Sequence, residues 1–171
     1  MNTLDNGTVP VWLLHPSAGA LNEKQLAALE RLFDGILPGD RDRGIPSARE
    51  AAAATFVSQL LAMTHEVYVE IPVWQTLYPR MLVALDNYSN GKYGRPVDSL
   101  DDTSLVELLV GLEGGSLQGL PADLDQKIMF TTLRRHCIQG CFADPRWGGN
   151  RDRIMWRALG YLQAPEDLYR E

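Results

Sequence analysis

The sequence is poor in the residues that build reactive centres. It has two cysteines and three histidines in 171 residues. Two cysteines cannot staple a chain of this length, which excludes a disulfide scaffold. No apolar run approaches the roughly 20 residues of a membrane-spanning helix; the longest, Ala51–Ala54 and Leu105–Leu112, are far shorter. Basic residues are outnumbered, and the net charge of −6 gives no electrostatic attraction to nucleic acid or anionic lipid. Met1–Pro10 has no basic region followed by an apolar core, so no secretory leader is visible. The expectation is a cytoplasmic protein, or a periplasmic one if a leader has been removed. What is present is ordinary: 45% apolar and 22% charged residues, enough for one domain with a real core.

Helical periodicity dominates. Residues 1–20 read as irregular, although Val11-Trp12-Leu13-Leu14 is apolar enough to lie on the domain or on a partner. The domain proper is read as residues 21–171. Asn22 and Gln25 form a capping box, after which Leu26, Leu29, Leu32/Phe33 and Ile36/Leu37 recur at helical spacing until Pro38-Gly39. Ser47 and Glu50 form a second box, predicting a helix over Ala51–Ala62. Thr64–Ile71 alternates β-branched residues but meets Pro72 and has no partner strand, so it reads as helix or extended link. Trp74, Leu77/Tyr78, Met81, Leu85 and Tyr88 predict a longer helix, bent at Pro79 and ended by Ser89-Asn90-Gly91. Another starts at Ser99–Asp102, with Leu105, Leu108/Leu109 and Leu112 inward. Ala122–Gln139 is predicted as a long helix turning Leu124, Ile128, Leu133 and Ile138 inward. The reading is all-α: a single compact domain of about six helices, with a structured Asp-Pro/Gly-Gly loop before the last one.

That loop, within Cys141–Tyr161, carries the most unusual chemistry. Pro145 biases Asp144 out of the helical region, so the preceding helix must have ended. Gly148 and Gly149 permit positive φ or close backbone approach. Asn150 is placed to cap a last helix with Ile154, Met155 and Leu159 inward. Arg146 and Trp147 are costly in a turn without a use. Pairing among Asp144, Arg151 and Asp152, with Trp147 filling a gap, would explain part of the motif. The remainder fits a partner surface, where Trp, Tyr and Arg are the usual anchors.

Other constellations read as structural. His136, Cys137 and Cys141 are a possible metal or redox cluster, but structural zinc sites need four ligands, and residues four apart on a helix strain to form a disulfide. Small buried residues lining a helix–helix seam is the stronger reading. Asp101-Asp102, and Asp40 with Asp42, fit a helix start and a solvated loop. Gly148-Gly149 before a helix has neither the dinucleotide nor the P-loop spacing.

The residues Phe142, Asp144, Pro145, Trp147, Gly148, Gly149, Asn150, Arg151, Asp152, Trp156, Gly160 and Tyr161 resemble the C-terminal signature of the gluconate 2-dehydrogenase small-subunit family (subunit 3, or gamma subunit). Leu37-Pro38 with Gly44–Ala51 is similar to its N-terminal pattern, and Leu85-Asp86 with Tyr93-Gly94 to a third stretch. The resemblance implies a non-catalytic accessory subunit that supports folding, stability or export of a glucose-methanol-choline type large subunit acting on a sugar or sugar acid. FAD is then held by that partner and no cofactor or metal by this chain; electrons often pass on to a cytochrome subunit. Many relatives carry a twin-arginine signal, which this chain does not show. The candidate partner interface is Phe142 and Asp144–Asp152, that is Asp144, Pro145, Arg146, Trp147, Gly148, Gly149, Asn150, Arg151 and Asp152. The alternatives are a free-standing Cys/His redox or metal protein and an export or assembly escort for the flavoprotein.

Overall fold

A computed structural model describes residues 19–161; the expected irregular N-terminal segment, apart from its last two residues, and positions 162–171 lie outside them. Six α-helices follow one another: α1 (Glu23–Ile36), α2 (Ala53–Leu61), α3 (Ile71–Tyr93), α4 (Asp102–Gly114), α5 (Gln126–Phe142) and α6 (Ile154–Ala158). Short 3-10 turns at Val97–Ser99, Pro145–Trp147 and Arg151–Arg153 complete the set. Among the described residues there is no strand beyond an isolated bridge between Asp40 and Ile45. The all-α, single-domain expectation is met, and among the described residues no helix is long and apolar enough to cross a membrane.

Local signals explain most helix starts. The Gln25 amide donates to Asn22 Oδ1 (2.9 Å) and the Asn22 amide to Gln25 Oε1 (3.1 Å), which closes the predicted capping box. Asp101 accepts from the Ser104 amide at the head of α4, and Asp125 from the Lys127 and Ile128 amides at the head of α5. The core runs through Leu29, Leu32 and Phe33 of α1, Val57 of α2, Tyr78, Met81 and Leu85 of α3, Leu105, Leu108 and Leu112 of α4, and Leu133 of α5. α5 lies against α1, α2 and α4.

Four expectations need correction. The Ser47–Glu50 box forms (2.7 and 3.2 Å), yet α2 begins only at Ala53, because Ala52 is left-handed (φ 57°, ψ 35°) and breaks the run. α3 is the single longer helix expected through Pro79, with the Gln75 side-chain amide donating to the Leu61 and Met63 carbonyls, but it ends at left-handed Gly94 rather than near Gly91. α5 starts four residues later than predicted and continues to Phe142; Ile128 and Ile138 face solvent, while Met129, Leu133, His136, Cys137, Gly140 and Cys141 form the buried stripe. Finally, Asn150 is not an ordinary N-cap: α6 is five residues long, and Leu159 is 70% exposed.

The other family-like residues also hold the fold. The Ala48 amide donates to the Leu37 carbonyl, Arg49 pairs with Asp34, and Asp86 accepts from the Val97 amide (3.0 Å).

Candidate functional site

The loop between α5 and α6 is tied down from within. Asp144 Oδ1 accepts from the Arg146 amide (3.0 Å) and from Arg146 Nε (3.0 Å), while Arg146 Nη2 donates to Asp144 Oδ2 (2.8 Å). Such a two-pronged guanidinium–carboxylate pair is directional as well as attractive. It holds the Asp144 carboxyl below its ordinary range, the side-chain bond to Arg146 being the largest cause. Pro145 opens the 3-10 turn, and Gly148 closes it at φ 88°, where a side chain would be strained. Trp147 is half-buried and packs against the core.

Asn150 is the centre of the lock. It is fully buried and left-handed (φ 43°, ψ 47°), a conformation Asn tolerates better than most residues. Its amide donates to the Gly140 carbonyl (2.9 Å), its Nδ2 to the Ala143 carbonyl (3.1 Å), and its Oδ1 accepts from the Met155 amide (3.0 Å). One side chain thus joins the end of α5 to the start of α6. Next to it the Arg151 amide donates to the Ala51 carbonyl (3.1 Å). The left-handed Ala52 that truncates α2 follows the residue whose carbonyl receives that bond. Asp152 and Arg153 are left-handed too, so of the four non-glycine residues with positive φ among the described residues, three lie in this loop.

The glycines work by close approach. A Cβ on Gly140 would lie 2.7 Å from the Ala53 carbonyl oxygen, and one on Gly149 would overlap the Gly140 carbonyl. Ala53, Gly140 and Gly149 therefore stack backbone on backbone. Gly149→Ala is expected to cost about 2–3 kcal/mol, as overpacking of rigid backbone does. Thermal unfolding followed by circular dichroism checks this; an unchanged melting temperature would mean the stack has slack.

The ten nominated residues thus divide by exposure. Gly149 and Asn150 are buried; Asp144, Pro145, Trp147 and Gly148 are intermediate; Phe142, Arg146, Arg151 and Asp152 are exposed. The expected pairing of Asp144 with Arg151 and Asp152 is replaced by the Asp144–Arg146 pair.

The Cys/His cluster is an interior feature. Cys137 and Cys141 are free buried thiols, and hydrogen bonding to Cys141, followed by burial, pushes the Cys137 thiol far above its usual range. Thiolate, the reactive and metal-binding form, is therefore suppressed. His136 is fully buried, its Nδ1 2.8 Å from the Tyr78 hydroxyl and its ring edge-on to Trp74 (centroids 4.4 Å, 87°). Among the described residues no group of three or more His, Cys, Asp or Glu could hold a metal ion.

The model of one protein family, gluconate 2-dehydrogenase subunit 3, matches residues 23–162. The chain belongs to that family. Members are subunits of a multi-subunit dehydrogenase. The match begins at the first residue of α1 and ends beyond α6, so it takes in all six helices and the loop. No curated protein and no solved structure matches the chain significantly.

A second surface feature escaped the sequence reading. Residues 134–157 contain six arginines and two aspartates, a local excess of four positive charges in a chain whose net charge is −6. The fold sets one of them, Arg135, over the ring of exposed Tyr68 (5.9 Å) and beside Glu70 (3.2 Å).

Proposed function

We propose that this gluconate 2-dehydrogenase subunit 3 family member is a non-catalytic accessory subunit that binds and stabilises a large subunit of the FAD-dependent, glucose-methanol-choline type, acting on a sugar or sugar acid. The observation that carries this reading is the family match over residues 23–162. FAD and hydride transfer belong to the large subunit, and a cytochrome subunit is a further possible member of the complex. The loop Phe142–Asp152 contributes to the contact, its exposed Arg146 and half-buried Trp147 held ready by the lock beneath them. The state of the titratable interior supports an accessory role: His136 is engaged with Tyr78, and the Cys137 thiol is kept protonated. A free-standing Cys/His redox protein would need an accessible thiolate, and nothing favours that here.

Co-expression with the flavoprotein large subunit, followed by co-purification and a dye-reduction assay, tests the reading. A stoichiometric complex is expected, with a large subunit that is less soluble or less active when produced alone. A large subunit equally soluble and active without this chain, and no complex, would overturn it.

A further inference from the structure

A cavity of about 800 Å³ forms a groove between the second half of α3 and the chain that links α4 to α5. One wall is a single face of α3, where Val83, Asn87 and Gly91 recur at helical spacing; the other is built around Gln118, Gly119 and Pro121. From Pro79 to Lys92 the face runs about 20 Å, the length of about six extended residues. Concave, mostly apolar sites of this size with a few polar groups are the usual form of a binding site.

Gly91 leaves the groove more open than the fold requires. Its φ is not left-handed, and a Cβ placed on it would meet nothing within 4 Å, so neither backbone nor packing calls for glycine there. Most side chains would strengthen the helix at that position. Gly119 owes its place to a φ of 86°, but it too leaves open space. Both walls therefore let another main chain approach closely.

The uncharged polar groups include two side-chain amides, one on each wall. Asn87 is exposed, and its side chain makes no hydrogen bond among the described residues. Gln118 spends Nε2 on the Ser116 carbonyl (3.3 Å), which leaves its Oε1 as an acceptor. Such amides match the donor and acceptor that each residue of a main chain carries. A helix uses those groups internally, so an extended segment is the one that has them free.

Charge sets the rest of the occupant's chemistry. The charged residues in the walls, Arg80 and Lys92, are already neutralised, by Asp123 and by Glu107 (2.6 Å). A charged side chain brought into the groove would lose water without gaining a partner, so the complementary occupant is uncharged and apolar. The groove reaches Leu124, just before α5, whereas the signature loop follows the other end of that helix. The 17 residues of α5 put about 25 Å between the two, a distance that a projecting arm spans.

We propose that the α3 groove holds an extended, uncharged apolar arm of the dehydrogenase large subunit, its main chain hydrogen-bonded to Asn87 and Gln118 and passing close over Gly91. The inference rests on the accessory-subunit reading above. It adds a second contact, apart from the signature loop and with its own chemistry.

The test uses the co-purified complex and subunits carrying Gly91→Leu, which fills the groove, or Asn87→Leu, which removes the amide at similar size. Both positions are exposed, so the helical circular dichroism of the free subunit should match the wild type. Gly91→Leu should melt at the wild-type temperature or above it. Each substitution is expected to weaken binding to the large subunit about tenfold or more. A photoreactive benzoylphenylalanine in place of Val83 should crosslink, in the complex, to a run of about six large-subunit residues free of Asp, Glu, Lys and Arg. Failure of the wild-type subunit to bind would sink the accessory-subunit reading and the groove with it. A wild-type complex that tolerates both substitutions, or a Gly91→Leu subunit that melts well below the wild type, would overturn the groove alone. So would a crosslink to a charged segment or to a second copy of this chain, or no crosslink at all.

Discussion

Asn150→Ala is expected to destabilise the subunit by about 4 kcal/mol, a large part of the roughly 5–15 kcal/mol that holds a typical domain folded. The side chain is fully buried and serves two backbone groups, the Ala143 carbonyl and the Met155 amide, at 3.1 and 3.0 Å. Truncation strands both, and each buried polar group left without a partner costs about 1–3 kcal/mol. Alanine must also adopt φ 43°, ψ 47°, which costs a residue with a Cβ about 1 kcal/mol more. Asn150→Gly separates these contributions: it loses the same two bonds but accepts the left-handed backbone, so it should be less damaging by about 1 kcal/mol. Urea unfolding of the two variants and the wild type measures both differences. A loss below about 1 kcal/mol for Asn150→Ala would mean that α6 is not fastened through this side chain.

The same residue shows how far the sequence could be read. Asn150 was recognisable as special because Asn before an apolar run is a common helix start. Its actual role needs the ends of two helices in space, and no local pattern reports that. Ala52 is a parallel case. The capping box at Ser47 and Glu50 and the alanine run after it promise a helix from Ala51. Whether the run is continuous depends on a distant partner, Arg151, whose amide binds the Ala51 carbonyl. The inward face of α5 was misread for a different reason. Asp125 caps the helix later than its apolar pattern suggests, and its buried stripe includes small residues: the two cysteines, Cys137 and Cys141, are legible as seam-lining residues, whereas Gly140, which meets Ala53 of α2, carries no apolar signal at all. The helices α1 and α4, by contrast, have their caps and apolar stripes on the same few residues, and there local and tertiary preferences agree. The Asp144-Pro145 and Gly148-Gly149 pairs are legible as turn chemistry; the Asp144–Arg146 clasp is not, because it forms only once the 3-10 turn at Pro145 folds the Arg146 side chain back over the carboxylate.

Acid should weaken the fold through one interior side chain. Burial, reinforced by the nearby charge of Arg135 and opposed by Glu70, lowers the His136 pKa to about 4. Tyr78, whose own pKa burial raises, remains a neutral phenol. Its hydroxyl donates to His136 Nδ1, since this arrangement leaves only Nε2 of the pair unpartnered, whereas the opposite one would also strand the hydroxyl hydrogen. The imidazole is thus held neutral in the folded chain, while in the unfolded chain it titrates near 6.5. Above pH 6.5 both states carry the same neutral ring and His136 adds no pH dependence. As pH falls below 6.5 the unfolded state takes up a proton that the native state refuses, so stability drops by about 1.4 kcal/mol per pH unit. The loss levels off near pH 4, where the native ring also protonates. Its total is on the order of 3 kcal/mol. The carboxyls of Asp101, Asp123 and Asp144 are held low and respond mainly below this window. Urea midpoints for the wild type at pH 7.5 and 4.5 should therefore differ by much more than those for His136→Asn, which keeps an acceptor for the Tyr78 hydroxyl but no titrating ring. His136→Asn will be less stable than the wild type at pH 7.5, because it empties ring volume against Trp74. What decides the matter is the slope: equal pH dependence in the two proteins would place the acid sensitivity elsewhere.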